Sequence, residues 1–237
     1  MKWRLIIDSK LDPYYNMAVD ESIMQSFAVM KQPVLRFYDW TANSVSIGYF
    51  QRTQEVISSI DVACPQIVRR PTGGGAVVHG EDITFSIVFA QKSIAGRVID
   101  SYRKINESII RKIKRNTGFS ILNDGFLTEK QDSPRLCFTQ PTKYDILWNN
   151  EKIGGSAQRR KNEVVLHQSS FYYKKCLPET DIPEPEARSL FVNYISEAVF
   201  DLFDASFEHD CLTECEKKLA NDLFVHRYSQ KEWNYLR

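Results

Sequence analysis

Residues 69–79 read RRPTGGGAVVH and join two short segments of β-type residues, 66–70 and 75–79. Three consecutive glycines weaken a sheet unless the backbone must adopt unusual dihedral angles or let a ligand approach closely. A glycine run also exposes backbone N–H groups that can bind an anion or a carbonyl oxygen. The two arginines ahead of it suit a phosphate or a carboxylate. The stretch therefore predicts a binding loop between two strands, and a flexible hairpin turn is the alternative that glycines alone leave open.

Further strands and several helices are predicted on both sides of this loop. Alternating or continuous apolar residues predict strands at 3–7, 34–38, 44–50, 83–89, 144–148, 164–167 and 171–173. Apolar residues at helical spacing predict helices at 13–28, 100–117, 187–203 and 213–228. Asp12 followed by Pro13 predicts the start of the first helix, whose apolar residues up to Ala28 share one face. Asn149 and Asn150 indicate a hairpin turn.

The overall composition is that of an ordinary globular protein. Of 237 residues, 43% are hydrophobic and 26% are charged, and the net charge is +1. This balance argues against a nucleic-acid coat protein or a polybasic membrane binder. The N-terminal residues lack the apolar run of a signal peptide, and nowhere do about 18 apolar residues follow one another. The chain is therefore predicted to be cytoplasmic.

Cysteines occur at positions 64, 137, 176, 211 and 215. Their odd number argues against a disulfide framework, and their spacing is not that of metal ligands. No metal site is therefore predicted, and a reducing compartment is the natural setting.

Lys152 begins a second glycine-containing segment, KIGGSAQRR at 152–160. A lysine directly ahead of Gly-Gly-Ser can aim its ammonium at a bound carbonyl or phosphate, which predicts a second binding loop. Most lysines are solvated residues of turns, and the sequence alone leaves that alternative open.

Cys137 lies in LCFTQPTKYD, residues 136–145, near the end of a long irregular segment predicted over 123–143. Long loops in compact domains are often functional. A cysteine becomes nucleophilic when nearby cations depress its pKa, and Lys143 and Lys152 are candidates. An inert buried cysteine is the commoner case. His79 and His167 are candidate bases, although a histidine on a strand is more often structural.

Together these segments resemble the biotin/lipoate protein ligase family, on its lipoate ligase and octanoyltransferase side. RRPTGGGAVVH resembles the family's Arg-Arg-x-Ser/Thr-Gly-Gly-x-Ala-Val-x-His loop. KIGGSA at 152–157 resembles its Lys-Ile/Val-x-Gly-x-Ala loop. The helix residues 16–21 and the closing segment 228–235 match as well, so the resemblance spans nearly the whole chain.

The resemblance implies an α+β fold, with a mixed, mainly antiparallel sheet flanked by helices, as in the biotin/lipoate A/B protein ligase catalytic domain. It implies one catalytic domain over 1–237, without the C-terminal accessory domain of many ligases. The implied catalytic residues are Cys137 and Lys152. The implied substrate-binding residues are Arg69, Arg70, Gly73, Gly74, Gly75, Ala76, His79, Gly155, Ser156 and Ala157. Val77 and Ile153 are candidates for an apolar acyl slot.

Two chemistries occur in this family. The segment around Cys137 resembles the cysteine-dependent octanoyltransferases, which need no cofactor. They take an octanoyl group from acyl carrier protein and pass it to a lysine of a lipoyl domain or of glycine cleavage H protein. The alternative is a lipoate–protein ligase, which uses ATP and Mg²⁺ to form lipoyl-adenylate.

Two positions depart from the transferase pattern and leave the donor open. Gly75 stands where that branch often carries arginine, and Gly80 replaces a usual aspartate. A non-catalytic lipoate-binding subunit is a third alternative, and it is more remote because both Cys137 and Lys152 are present.

Overall fold

The computed structural model describes residues 1–41, 43–94, 96–113, 119–121, 142–176 and 183–236. Cys137 and most of the predicted irregular segment lie outside these residues. In chain order the strands are β1 (Lys2–Leu11), β2 (Val34–Trp40), β3 (Ser44–Ile47), β4 (Gln66–Arg69), β5 (Val77–Val78), β6 (Ile83–Ala90), β7 (Phe119–Ile121), β8 (Ile146–Trp148), β9 (Glu151–Lys161), β10 (Val164–Phe171) and β11 (Ser206–His209). The α-helices are α1 (Pro13–Met30), α2 (Thr53–Ile57), α3 (Val98–Ile113), α4 (Glu184–Phe203), α5 (Glu214–Leu223) and α6 (Lys231–Asn234), and a π-helical turn (Phe224–Tyr228) follows α5.

Eight of the described strands form one large sheet in the order β11-β1-β2-β6-β10-β9-β8-β7. β1 runs parallel to both β11 and β2, and the other neighbours are antiparallel. Helices pack on both faces of this sheet. The predicted α+β fold, with a mixed and mainly antiparallel sheet flanked by helices, is therefore confirmed.

The glycine run belongs to a separate three-stranded sheet in the order β4-β3-β5. β3 pairs parallel to β4 and antiparallel to β5, so it lies between the two strands that the glycine run connects. Since β4 and β5 are not neighbours, the run is not the hairpin turn that the sequence left open. It crosses from one edge of the small sheet to the other.

The helix α1 lies at the centre of the molecule, in contact with α5 and with strands of both sheets. Its start is as predicted, because the Asp12 side chain accepts hydrogen bonds from the N–H groups of Tyr14 and Tyr15. The buried surface of α1 is wider than the single apolar face that the sequence predicted. Residues 16–24 are all buried, whereas Ala28 is exposed, because packing partners surround the middle of the helix and not its C-terminal turn.

The sequence predicted a loop from Lys152 to Ala157, and this prediction is wrong. The segment is part of the strand β9. It pairs with β8 on one side and β10 on the other. Gly154 shows why glycine occurs here: an added Cβ would lie 3.0 Å from Phe171 Cδ2 and 3.1 Å from Ile146 Cβ. The glycine makes room for packing inside a sheet. The predicted turn ahead of this strand is confirmed, with positive φ angles of 49° at Asn149 and 66° at Asn150.

The helices of the described residues include none that is long and apolar enough to cross a membrane.

Candidate active site

The glycine loop, residues 70–76, is held in shape by the buried guanidinium of Arg70. Arg70 Nη2 donates hydrogen bonds to the carbonyl oxygens of Gly73, at 2.9 Å, and Gly75, at 2.8 Å. Arg70 Nη1 donates to the carbonyl oxygen and to Oγ of Ser46 on β3. Gly74, between the two held carbonyls, has a φ of +88°, which favours glycine. Arg70 therefore fixes two peptide groups of the loop against β3.

Gly48 packs directly against the backbone of the same loop. A Cβ atom on Gly48 would lie 1.9 Å from the carbonyl oxygen of Gly74, so only glycine lets the two backbones approach this closely. The next residue, Tyr49, donates its N–H to the carbonyl oxygen of Thr72 at 2.9 Å. The sequence analysis missed Gly48, although a glycine closing an alternating strand was a signal of close backbone approach.

Arg69 is fully buried and lies outside the pocket described below. Its guanidinium donates to the carbonyl oxygens of Gly48, Tyr49 and Gln51 in the turn after β3. It also donates to the carbonyl oxygen of Asn234 in α6. Arg69 thus ties the C-terminal helix to the turn beneath the glycine loop. Arg69 therefore does not line this pocket, although the resemblance implied a substrate-binding role for it.

A pocket lies between the two sheets, with about 370 Å³ of space between its walls, part of it open to solvent. Six of the predicted substrate-binding residues line it: Arg70, Gly74, His79, Gly155, Ser156 and Ala157. Val77 lines it as well, whereas Ile153 belongs to the hydrophobic core on the α3 and α4 side of the sheet. Gly73, Gly75 and Ala76 belong to the same loop but are not among the lining residues.

Seven polar or aromatic residues of the pocket wall were not predicted from the sequence: Tyr38, Trp40, Ser46, Thr84, Gln168, Ser169 and Ser170. They come from β2, β3, β6 and β10, where the sequence shows only strand periodicity. Their polar groups form hydrogen bonds with other protein groups inside the wall.

Asp20 of α1 collects the first group of these polar side chains. Tyr38 Oη donates to Asp20 Oδ2 at 2.8 Å, and Gln168 Nε2 donates to the same oxygen at 2.6 Å. Arg36 Nη1 donates to the other carboxylate oxygen at 2.7 Å, so the buried charge of Asp20 is paired. Gln168 in turn accepts from Thr72 Oγ1 of the glycine loop at 2.6 Å.

Asp82 collects the second group. Its Oδ2 accepts from Thr84 Oγ1 at 2.8 Å and from Ser170 Oγ at 2.6 Å, and lies 2.8 Å from His79 Nδ1. Burial by itself raises the pKa of Asp82, but the field of His79 and these hydrogen bonds outweigh it and lower the pKa to about 2. Trp40 stacks on the His79 ring at 3.8 Å between centroids. Because the polar groups bond to one another, the wall can present mainly carbon to the pocket.

Lys152 forms a buried ion pair with Asp145, with 2.6 Å between Nζ and Oδ2. Thr142 also donates to Asp145, through its hydroxyl group at 2.8 Å. Asp145 was quoted in the sequence analysis without a role, and the structure makes it a direct partner of the predicted catalytic lysine. Lys152 is not among the described residues that line the pocket. Cys137, the other predicted catalytic residue, lies outside the described residues.

His167, the second candidate base, is a structural residue. It is fully buried, and burial together with the charge of Arg160 lowers its pKa to about 3, so the ring is neutral at ordinary pH. Its ring nitrogens contact Gln158 at 3.0 Å and Ser169 at 2.8 Å. Both contacts lie inside the sheet.

The glycine loop thus lies beside a pocket between two sheets, and six of the residues to which the resemblance gave a substrate-binding role line this pocket. The chain belongs to the lipoyl protein ligase A/B catalytic domain family, whose model matches residues 12–182.

Its relatives include octanoyltransferase LipM of Bacillus subtilis, which is 32% identical over 241 residues, covering 97% of this chain and 81% of that protein. Octanoyltransferase LipM of Kyrpidia tusciae is 33% identical over 221 residues, covering 89% of this chain and 77% of that protein. Among solved structures, a T. acidophilum protein with bound lipoic acid matches with a TM-score of 0.77 at 26% identity, over 100% of both chains. Lipoate-protein ligase A bound with ATP matches with a TM-score of 0.76 at 25% identity, over 99% of both chains.

Proposed function

We propose that this protein is a cytoplasmic enzyme of protein lipoylation, built as a single catalytic domain. It moves an octanoyl group, or a lipoyl group, from acyl carrier protein to a lysine of a lipoyl domain or of glycine cleavage H protein. The observation that carries the proposal is the pocket wall, in which the polar side chains form hydrogen bonds with Asp20 and Asp82. Such a wall suits an aliphatic acyl chain. The similarity to the LipM octanoyltransferases supports the same substrate class.

The first chemical step uses Cys137, whose role rests on the resemblance. Its thiolate attacks the thioester carbonyl of the octanoyl-carrier protein, forms a new thioester and releases the carrier thiol. The acceptor amine then attacks the Cys137 thioester. An amide forms, the amine nitrogen loses a proton and the Cys137 thiolate is released. One thioester replaces another in the first step, so no ATP is needed.

The glycine loop supplies donors for the negative charge that develops on the carbonyl oxygen. In a trans peptide the C=O and N–H groups point in opposite directions. Since Arg70 holds the carbonyls of Gly73 and Gly75, the N–H groups of Gly74 and Ala76 point away from the guanidinium. We assign these N–H groups and the Lys152 ammonium to stabilisation of the oxyanion.

The ligase alternative gives Lys152 the contacts with the carbonyl and phosphate oxygens of the adenylate and places Arg69 and Arg70 nearby as further cations. In the structure both guanidinium groups donate to backbone carbonyls of the protein itself. These two residues therefore fit a nucleotide poorly, which favours the transferase. The similar lipoate-protein ligase A structure contains ATP, so the experiment must separate the two chemistries.

The test is acyl transfer measured by intact mass. The protein is incubated with octanoyl-carrier protein and a lipoyl domain without ATP, and separately with lipoate, ATP and Mg²⁺. We expect ATP-independent octanoylation of the lipoyl domain, and without acceptor a single octanoyl adduct on the enzyme that hydroxylamine removes. Cys137→Ser should lose both, because a serine hydroxyl needs a strong base to become nucleophilic.

Cys64→Ser is the matched control, because Cys64 is an exposed free thiol. It should keep the adduct and the turnover. Full activity of Cys137→Ser that depends on ATP and lipoate would contradict the proposal and identify a lipoate–protein ligase.

A further inference from the structure

Asp82, His79 and Ser46 form a line of hydrogen bonds beside the pocket that ends on Arg70. His79 Nδ1 lies 2.8 Å from Asp82 Oδ2, and His79 Nε2 lies 2.7 Å from Ser46 Oγ. Arg70 Nη1 lies 2.7 Å from the same Ser46 oxygen. All four side chains are buried, and Ser46 is completely so.

For a neutral His79 ring, the direction of each hydrogen bond in this line follows from the chemistry of its two ends. An ionised carboxylate only accepts, and a guanidinium only donates. In a neutral imidazole, Asp82 therefore holds the single ring hydrogen on Nδ1, and Nε2 is left as an acceptor. Ser46 must then donate its hydroxyl hydrogen to Nε2, and its oxygen accepts from Arg70.

The line continues from Arg70 into the glycine loop. The other guanidinium nitrogen, Nη2, donates to the carbonyl oxygens of Gly73 and Gly75. One rigid plane thus joins Ser46 to the two peptide groups whose orientation sets the donors of the loop. Stacking of Trp40 on the His79 ring restricts that ring as well.

We propose that Asp82, His79 and Ser46 are positioning residues, which set the rotation of the Arg70 guanidinium and through it aim the N–H groups of the glycine loop at the reacting carbonyl. This inference rests on the proposed acyl transfer and deepens it. It assigns three side chains to the geometry of the transition state and not to binding of the acyl chain.

The same three residue types in the same order activate the nucleophile of serine hydrolases. Here that role does not fit, because Ser46 Oγ is fully buried and already accepts from Arg70. The Ser46 hydroxyl group instead bonds to both His79 and Arg70, so the position of the His79 ring constrains the Arg70 guanidinium. Removing this hydroxyl group should therefore change the geometry of the glycine loop. No acyl-serine intermediate should be detectable in the unmodified protein.

The first test reads the ring of His79 directly in the unmodified protein, by ¹H–¹⁵N correlation of its imidazole nitrogens. The chain has four histidines, and His79→Gln assigns the signals of this one. We expect a ring hydrogen on Nδ1 and none on Nε2. In Asp82→Asn the carboxamide can donate to Nδ1, so the hydrogen should move to Nε2. A hydrogen on Nε2 in the unmodified protein, alone or together with one on Nδ1, would overturn the proposal.

The second test separates positioning from binding by steady-state octanoyl transfer. In Ser46→Ala and Asp82→Asn we expect kcat to fall by about tenfold to a hundredfold, as a small misplacement of reacting groups does. The KM for octanoyl-carrier protein should stay within about twofold, because the groups lost act in the transition state.

Ser108→Ala is the matched control, since Ser108 is a buried α3 serine whose hydroxyl group donates to the carbonyl oxygen of Ala198. Its kcat should be that of the unmodified protein. If Ser46→Ala and Asp82→Asn also keep that kcat, the positioning role is wrong. If the unmodified protein transfers no octanoyl group, the proposed function fails, and the imidazole spectrum still decides whether the hydrogen-bond line exists as described.

Discussion

Single residues of this protein carry charges that the fold pairs deep inside the molecule. Lys152 and Asp145 are both buried, with 4% and 7% of their side chains exposed, and their charged atoms are 2.6 Å apart. A buried pair of this kind adds little net stability, but removing one partner strands the other charge. The pair therefore fixes where the ammonium sits more than it stabilises the fold.

Lys152→Ala should lose acyl transfer and stability together, for two separable reasons. The missing cation should cost about 10²–10³ in kcat. The stranded Asp145 should lower the free energy of unfolding by about 3–5 kcal/mol. Chemical denaturation and transfer kinetics measure the two effects.

The double variant Lys152→Met with Asp145→Asn removes both charges and keeps an acceptor for Thr142. It should regain most of the stability and none of the activity. Recovery of activity in the double variant would show that Lys152 is not the cation of the reaction.

At the scale of structural elements, the glycine loop depends on a neighbour that the motif does not contain. Gly48, which directly follows β3, contacts the Gly74 carbonyl so closely that no side chain fits. Arg69 and Arg70 hold the turn after β3 and the loop from two sides. The loop is a preorganised element whose shape is set by β3, β4 and α6 together.

Gly48→Ala should therefore displace the glycine loop. We expect a loss of about 1–3 kcal/mol in the free energy of unfolding, because the added methyl group overlaps backbone that has to move. Binding of a non-hydrolysable octanoyl analogue, followed by calorimetry, should weaken as well.

Gly73→Ala provides the comparison within the same loop, because an added Cβ there meets no atom within 4 Å. Its free energy of unfolding should be close to that of the unmodified protein. Equal stability of the two variants would mean that the loop tolerates displacement and that the contact with Gly48 does not define it.

At the scale of the whole molecule, α1 and the segment before β6 each place a buried carboxylate, Asp20 and Asp82, behind the pocket wall. Asp82 is buried with a pKa lowered to about 2, from an ordinary value of 3.8. The folded protein therefore keeps this group ionised at pH values where the unfolded chain protonates it. Its contribution to stability is complete above about pH 4 and disappears as the pH falls to about 2.

Urea denaturation between pH 5 and pH 2.5 should show this dependence. The free energy of unfolding should fall with decreasing pH, and the share of Asp82 amounts to about 2 kcal/mol over the full window. Asp82→Asn should be less stable at neutral pH but show a shallower slope below about pH 4. A slope identical to that of the unmodified protein would contradict the ionised, hydrogen-bonded state of Asp82.

What the sequence by itself determined are the features that act over a few residues. Asp12 and Pro13 start α1, and Asn149 and Asn150 form their turn, because caps and turns are local hydrogen-bond and dihedral preferences. Apolar periodicity located most strands, and the two glycine-containing motifs, 69–79 and 152–157, led to the family and to six residues of the pocket. Whether Cys137 acts as the nucleophile, and whether one domain spans the chain, stay predictions.

What only the tertiary structure decided are the relations between distant segments. Glycine in a motif has two uses, and the pairing of β9 with β8 and β10 shows that Gly154 serves packing inside a sheet and not a loop. An arginine ahead of a glycine run can bind a phosphate or a backbone carbonyl. The choice depends on whether acceptors such as Asn234, which is 165 residues from Arg69, arrive beside it. Such partners come together by strand order and helix packing, which no short-range pattern contains, because the hydrogen-bonding capacity of a side chain does not specify its partner.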